Sequence, residues 1–142
     1  MREALTLARE AADHGEVPIG AVVVREGAII GRGANRTHRD QDPTAHAETI
    51  ALRAAAQHLR SWRLEGCTLV VTLEPCAMCA GAIVLSRLER LVFGAWDPKA
   101  GMVGSVSDIV RHPQLNHRAE VRGGVLEAQC GEVLRAFFAP RR

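Results

Sequence analysis

The stretch Cys67-Thr68-Leu69-Val70-Val71-Thr72-Leu73-Glu74-Pro75-Cys76-Ala77-Met78-Cys79-Ala80-Gly81-Ala82-Ile83-Val84-Leu85-Ser86 changes character midway. Cys67–Leu73 is apolar and β-branched at strand length, which predicts a strand buried on at least one face. Behind Pro75 the chain turns Ala-rich, and Cys76 to Ser86 reads as a helix. Proline suits a helix start, because the N–H it lacks would have no partner there. A strand that runs straight into a helix is the building unit of a layered α/β sheet.

The same alternation continues on both sides. Upstream, His46 to Leu59 is Ala-rich without a breaker and predicts a helix. Asn35 to Ala45 is polar, carries Pro43, and predicts a loop. Pro18–Val24 and Ala28–Gly33 flank Arg25-Glu26-Gly27 as a hairpin, and Arg2–His14 is a helix stopped by Gly15. Downstream, Leu91–Ala95 is a strand, and a Gly-containing loop follows through Ser105. Glu120–Val125 is read as a last strand and Leu126–Phe138 as a last helix. The hairpin strands are antiparallel, and strands joined by helices are expected to be parallel. In such sheets ligands sit at the carboxyl ends of strands, beside helix N-termini.

Composition sets the limits. The 142 residues (15.4 kDa) suit one domain spanning 1–142, and 47% hydrophobic residues exclude a disordered chain. No apolar run approaches the roughly 20 residues of a membrane span. Met1-Arg2-Glu3-Ala4 does not open a secretory signal, so a soluble intracellular protein is expected. The formal charge of +2 neither marks nor excludes a nucleic-acid binder. Every basic residue except Lys99 is arginine, whose planar fork suits phosphate.

Two short patterns carry chemistry. His46-Ala47-Glu48 opens one helix, and Pro75-Cys76-Ala77-Met78-Cys79 opens the next. One imidazole and two thiolates make three ligands for Zn²⁺ and leave a fourth tetrahedral position for water, as a catalytic site requires. Cysteines at i and i+3 lie on one side of a helical turn. The partly positive helix N-terminus favours their thiolates. Glu48, two residues from His46, is placed to move protons. The competing readings of Cys-x-x-Cys are a redox pair and a structural zinc knuckle. A structural site needs a fourth protein ligand. Cys67 is a poor candidate, seven residues before Glu74 and roughly 23 Å away along a strand. Cys130 shares an apolar helical face with Leu126, Val133, Leu134 and Phe137 and reads as core. His14 and His58 near helix ends, and His38, His112 and His117 in polar loops, read as solvated surface residues.

At these residues the chain resembles the zinc-dependent cytidine and nucleotide deaminase superfamily, and within it the bacterial tRNA-specific adenosine deaminases. The resemblance runs through Glu16-Val17-Pro18-Ile19-Gly20-Ala21-Val22, Asn35-Arg36, Asp42 to Glu48 and Thr72 to Ile83. It continues through Phe93-Gly94-Ala95, Asp97, Lys99-Ala100-Gly101, Gly104-Ser105, His112-Pro113 and Leu115-Asn116-His117, the part that points to the tRNA branch. It implies a three-layer α/β/α cytidine-deaminase-like fold with a mixed five-stranded sheet and helices on both faces. It also implies hydrolytic deamination of adenosine to inosine at the wobble position of a tRNA anticodon loop, in the cytoplasm. One Zn²⁺ per subunit would be held by His46, Cys76 and Cys79, with Glu48 shuttling protons. Asn35 matches a residue that bonds the flipped nucleoside; its other reading is a turn residue. Asp97 matches a residue beside the RNA; its other reading is a turn Asp before Pro98. Phe137-Phe138-Ala139-Pro140-Arg141-Arg142 offers stacking and phosphate contacts, with the Phe pair read first as core-facing. Members are commonly homodimers, and the apolar helix Ala80–Leu85 fits either an interface or the core. The alternatives are a deaminase of free guanine, cytosine or deoxycytidylate, and a non-catalytic zinc module.

Overall fold

A computed structural model describes residues 1–141, and of residue 141 the backbone alone. Along the chain run α1 (Arg2–Asp13), β1 (Gly20–Arg25), β2 (Ala28–Ala34), α2 (Ala47–Leu59), β3 (Cys67–Leu73) and α3 (Ala77–Leu85). Then come β4 (Arg90–Ala95), β5 (Glu120–Arg122), α4 (Glu127–Phe138) and a 3-10 turn (Ala139–Arg141). The strands form one mixed sheet in the order β2-β1-β3-β4-β5. Helices α2 and α3 touch each other on one face, and α1 and α4 touch on the other, giving the expected three layers.

The hairpin turn is two residues long. Arg25 pairs with Ala28, and Glu26 and Gly27 both have positive φ (51° and 78°), the twist that a two-residue hairpin needs. The parallel pairing expected of helix-joined strands holds for β3–β4 and β4–β5. β3 also pairs antiparallel with β1. The α2 crossover carries the chain over β1, so β3 runs parallel to β2 with β1 between them. The carboxyl ends of β2, β3 and β4 therefore share one edge of the sheet.

The last strand is shorter than Glu120–Val125, ending at Arg122. The two glycines that follow end it. Gly123 packs so closely under Phe93 that an added Cβ would lie 2.6 Å from its ring, and Gly124 has φ +82°. The other predicted boundaries move by a residue or two at their ends.

Small residues bring α2 onto the sheet. Ala47, Ala51 and Ala55 recur every fourth residue and are fully buried. They face Gly31 and Gly33 of β2, where an added Cβ would lie 2.4 Å from the Ala51 carbonyl oxygen and 2.2 Å from that of Ala47. Gly20 makes the same close approach to α1, with the Ala4 carbonyl oxygen 2.0 Å from a virtual Cβ. The main core lies around Val23, Leu69, Val71, Ile83, Leu91 and Phe93. A smaller cluster joins Leu5, Ala95 and Cys130. Cys130 is core, as expected, packed against Gly94 of β4.

Candidate metal centre and substrate pocket

The two helix starts converge. His46 is the N-cap of α2 and Cys76 the N-cap of α3, both in extended backbone conformation, while Cys79 sits in the first turn of α3. Cys76 thus stands one residue before its helix rather than within it, and the i, i+3 spacing still places both sulfurs together. His46 Nδ1 lies 3.6 Å from Cys76 Sγ and 3.5 Å from Cys79 Sγ. All three ligand atoms lie within 4.8 Å of one another.

The polarity of the cluster follows from its contacts. The Cys79 thiol, hydrogen-bonded to Cys76, holds the Cys76 thiol down to about 3 against the opposing pull of burial, and His46 adds to the effect. The same bond, with burial, pushes Cys79 far up. The bond to Cys76 raises the His46 imidazole.

Glu48 lies in the first turn of α2 and is only 4% exposed. Its Oε1 is buried without a hydrogen-bond partner among the described residues. Burial pushes its carboxyl up. A buried carboxylate oxygen without a partner is expensive to keep, so its retention points to a ligand or a proton on which it acts. Two soft thiols with one imidazole suit Zn²⁺, and among the described residues no fourth His, Cys, Asp or Glu joins the group. The donor set and the unpartnered Glu48 Oε1 fit a catalytic zinc with one open position better than a closed structural site.

Asn35 and Asp97 lie on the loops that leave β2 and β4 at the same edge of the sheet. Asn35 is 6% exposed. Its Nδ2 donates to the Val17 carbonyl and its Oδ1 accepts the Thr37 N–H, both at a long 3.4 Å. Asp97 Oδ1 accepts the N–H groups of Lys99 (3.0 Å) and Ala100 (3.2 Å), so its turn role is present. Asp97 also borders a groove of about 520 Å³ with Trp96, Lys99, Leu134 and Phe138.

Other residues depart from their reading as surface or core. Phe138 is 41% exposed and lines that groove rather than the core. Its ring stands edge-on to Phe137. Arg142 and the side chain of Arg141 lie outside the described residues. His117 is not simply solvated, since its Nε2 bonds the Leu88 carbonyl at 2.6 Å. His112 Nδ1 accepts the Gln114 N–H at 3.1 Å.

Two buried carboxylates did not stand out in the sequence. Glu16 accepts the backbone N–H groups of His38 (3.1 Å) and Arg39 (2.7 Å) and ties down the loop after Asn35. Glu74 does the same for the loop after Asp97. The only hint of Glu74 in the sequence is an acidic residue pinned between an apolar strand and a proline.

The family model for MafB19-like deaminases matches residues 1–142. The chain is 52% identical to the tRNA-specific adenosine deaminase of Bacillus subtilis over 142 residues, covering all of this chain and 88% of that one. It superposes with TM-score 0.91 on a structure from studies of A-to-I editing by tRNA:A34 deaminases at the wobble position of transfer RNA. That match has 46% identity and covers 94% of this chain and 97% of the other. A guanine deaminase from Nitrosomonas europaea superposes with TM-score 0.84 at 27% identity, over 97% of this chain and 82% of that one.

Proposed function

This chain belongs to the tRNA-specific adenosine deaminases, and from that premise we propose that it hydrolyses adenosine to inosine at the wobble position of a tRNA anticodon loop. Residues 1–142 act as one deaminase domain working in the cytoplasm. The observation that carries the chemistry is the meeting of His46, Cys76 and Cys79 beside Glu48, whose buried Oε1 has no hydrogen-bond partner among the described residues. The substrate rests on the whole-length identity to tRNA-specific relatives, which far exceeds the identity to the guanine deaminase.

His46, Cys76 and Cys79 would hold one Zn²⁺ per chain. When bound, zinc supplies Lewis acidity that brings the pKa of a water to about 7. Glu48 takes a proton from the attacking water, passes it to the purine ring nitrogen, and delivers a second to the departing amine. Across the reaction the C6–O bond forms, the C6–N bond breaks, and ammonia leaves. Asn35 bonds the flipped nucleoside and Asp97 accepts a ribose hydroxyl, a contact that favours RNA over DNA. An anticodon loop suits this chemistry because its bases are unpaired and cheap to extrude.

We place a second copy of the chain on the α2–α3 face. Leu85 is 70% and Trp62 62% exposed there, and with Leu52, Leu64 and Ala82 they border a groove of about 310 Å³. Exposed apolar groups gathered in this way are uncommon on a monomer.

The test is mass-spectrometric detection of inosine after incubating zinc-loaded protein with an anticodon stem-loop bearing a wobble adenosine. Free adenosine, guanine and cytidine serve as parallel substrates. Inosine in the stem-loop alone is expected. Turnover of a free base with the RNA untouched would keep the zinc chemistry and overturn the substrate.

A further inference from the structure

Glu74 lies between β3 and Cys76, is 2% exposed, and is not part of the metal cluster. Both of its carboxylate oxygens are taken. Oε1 accepts the Asp97 backbone N–H at 3.0 Å and the Ser105 hydroxyl. Oε2 accepts the N–H groups of Val103 at 2.9 Å and Ser105 at 3.0 Å. The next residue repeats the link, since the Pro75 carbonyl accepts the Met102 N–H at 2.9 Å. Gly101 closes the wrap from inside. An added Cβ there would stand 2.3 Å from Glu74 Oε1 and 2.6 Å from the Asp97 carbonyl oxygen. Residues 97–105 are thus wound around one carboxylate, with the rest of the loop hanging from those bonds.

We propose that Glu74 is a positioning residue for RNA binding. It fixes the Asp97 loop in register with the segment that carries Cys76 and Cys79, and it acts on substrate through Asp97. This rests on the reading of Asp97 as an RNA contact of a tRNA deaminase. The geometry demands a carboxylate. All four groups directed at Glu74 are donors, arranged as two pairs. A glutamine would turn one oxygen into an NH₂ donor: facing Val103 and Ser105 it would lose both N–H bonds, and facing Asp97 it would lose that N–H bond while the Ser105 hydroxyl turned to accept. Charge-assisted bonds of this kind, lost in a buried site, are not replaced by water. The loop's link to the metal segment would loosen while the metal ligands, on the other side of Pro75, kept their places. The fault should therefore appear in substrate binding rather than in metal content or in the chemical step.

The test compares zinc-loaded wild type, Glu74→Gln and Gly101→Ala on the anticodon stem-loop. Gly101→Ala disturbs the same wrap by crowding the carboxylate while leaving Glu74 itself unchanged, so it serves where Glu74→Gln fails to fold. Each variant is expected to raise KM by about tenfold or more and to leave kcat within about threefold. Zinc content should be unchanged, and backbone amides of residues 97–105 should exchange faster. An active wild type whose variants keep KM and loop protection, or lose kcat alone, overturns this inference and leaves the substrate assignment standing. A wild type inert on the stem-loop removes the substrate assignment, and this inference with it.

Discussion

His46 Nδ1 and Cys79 Sγ stand 3.5 Å apart although 33 positions separate them in the chain. Two parallel crossovers make this possible: β2 and β3 end at the same edge of the sheet, and each hands the chain to a helix whose first turn points back over that edge. The helix N-termini then stabilise the anionic sulfur beside them.

The first expected outcome concerns the metal. Purified protein should carry one zinc per chain by elemental analysis. Single His46→Ala, Cys76→Ser and Cys79→Ser variants should lose it on dialysis, since two remaining ligands do not make a site. Chelation of the wild type should lower its melting temperature, and added zinc should restore it, because metal that binds the folded chain stabilises it. Full zinc retention in Cys79→Ser would remove that residue from the ligand set.

The second concerns Glu48. Glu48→Gln should keep the zinc and lose turnover by about 10²–10⁴-fold, the usual worth of a positioned acid–base group. Burial pushes the Glu48 carboxyl up, so the charged form costs stability that a neutral amide of the same shape does not. With metal removed from both proteins, the variant should melt a few degrees above the wild type. About 1 kcal/mol shifts a domain of this size by roughly 3–5 °C. A variant with unimpaired turnover would take Glu48 out of the mechanism.

The sequence made the chemistry easier to read than its support. His46, Glu48, Cys76 and Cys79 sit in two short runs, each with other uses by itself, but both open a helix behind a strand, and that combination let their meeting be expected. The β1–β3 pairing could not, because local pattern says which segments are strands and not which neighbour each one takes. The role of Glu74 was hidden for the same reason. Its four donors come from Asp97, Val103 and Ser105, brought to it only by the folded loop. The Phe137-Phe138 pair reads in sequence as a core-facing helix end. The helix end instead lies beside Trp96 and Asp97, where the ring is partly in solvent.

The third outcome concerns the seat of α2. A methyl group at residue 33 would lie 2.2 Å from the Ala47 carbonyl oxygen and 2.8 Å from the Ala51 nitrogen, both backbone atoms that cannot rotate away. Gly33→Ala should therefore push out the start of α2. A loss of about 2–4 kcal/mol is expected in chemical denaturation, at or above the usual cost of overpacking. Because Ala47 adjoins His46, zinc affinity should fall as well. Gly27→Ala is the control. It has φ +78° with no atom within 4 Å of the added group, and should cost only about 1–2 kcal/mol with zinc affinity intact. Equal zinc affinities in the two variants would separate the close α2 approach from the metal site.

The fourth concerns assembly. Leu85 ends α3 with most of its side chain in solvent, and Trp62 stands beside it with the guanidinium carbons of Arg63 and Arg87 at 5.0 and 6.0 Å from its ring. An apolar centre with arginines at its edge has the composition of an interface, because arginine and tryptophan are enriched where partners exclude water. Sedimentation of the wild type should give twice the 15.4 kDa chain mass. Leu85→Asp should halve it, since a carboxylate forced into the centre of an apolar contact loses its hydration without gaining a partner. The folded chain should tolerate the change, as Leu85 is already 70% exposed, so zinc content and the far-ultraviolet dichroism should match the wild type. A wild type that sediments as a monomer at micromolar concentration, or a variant that stays dimeric, would move the partner off the α2–α3 face.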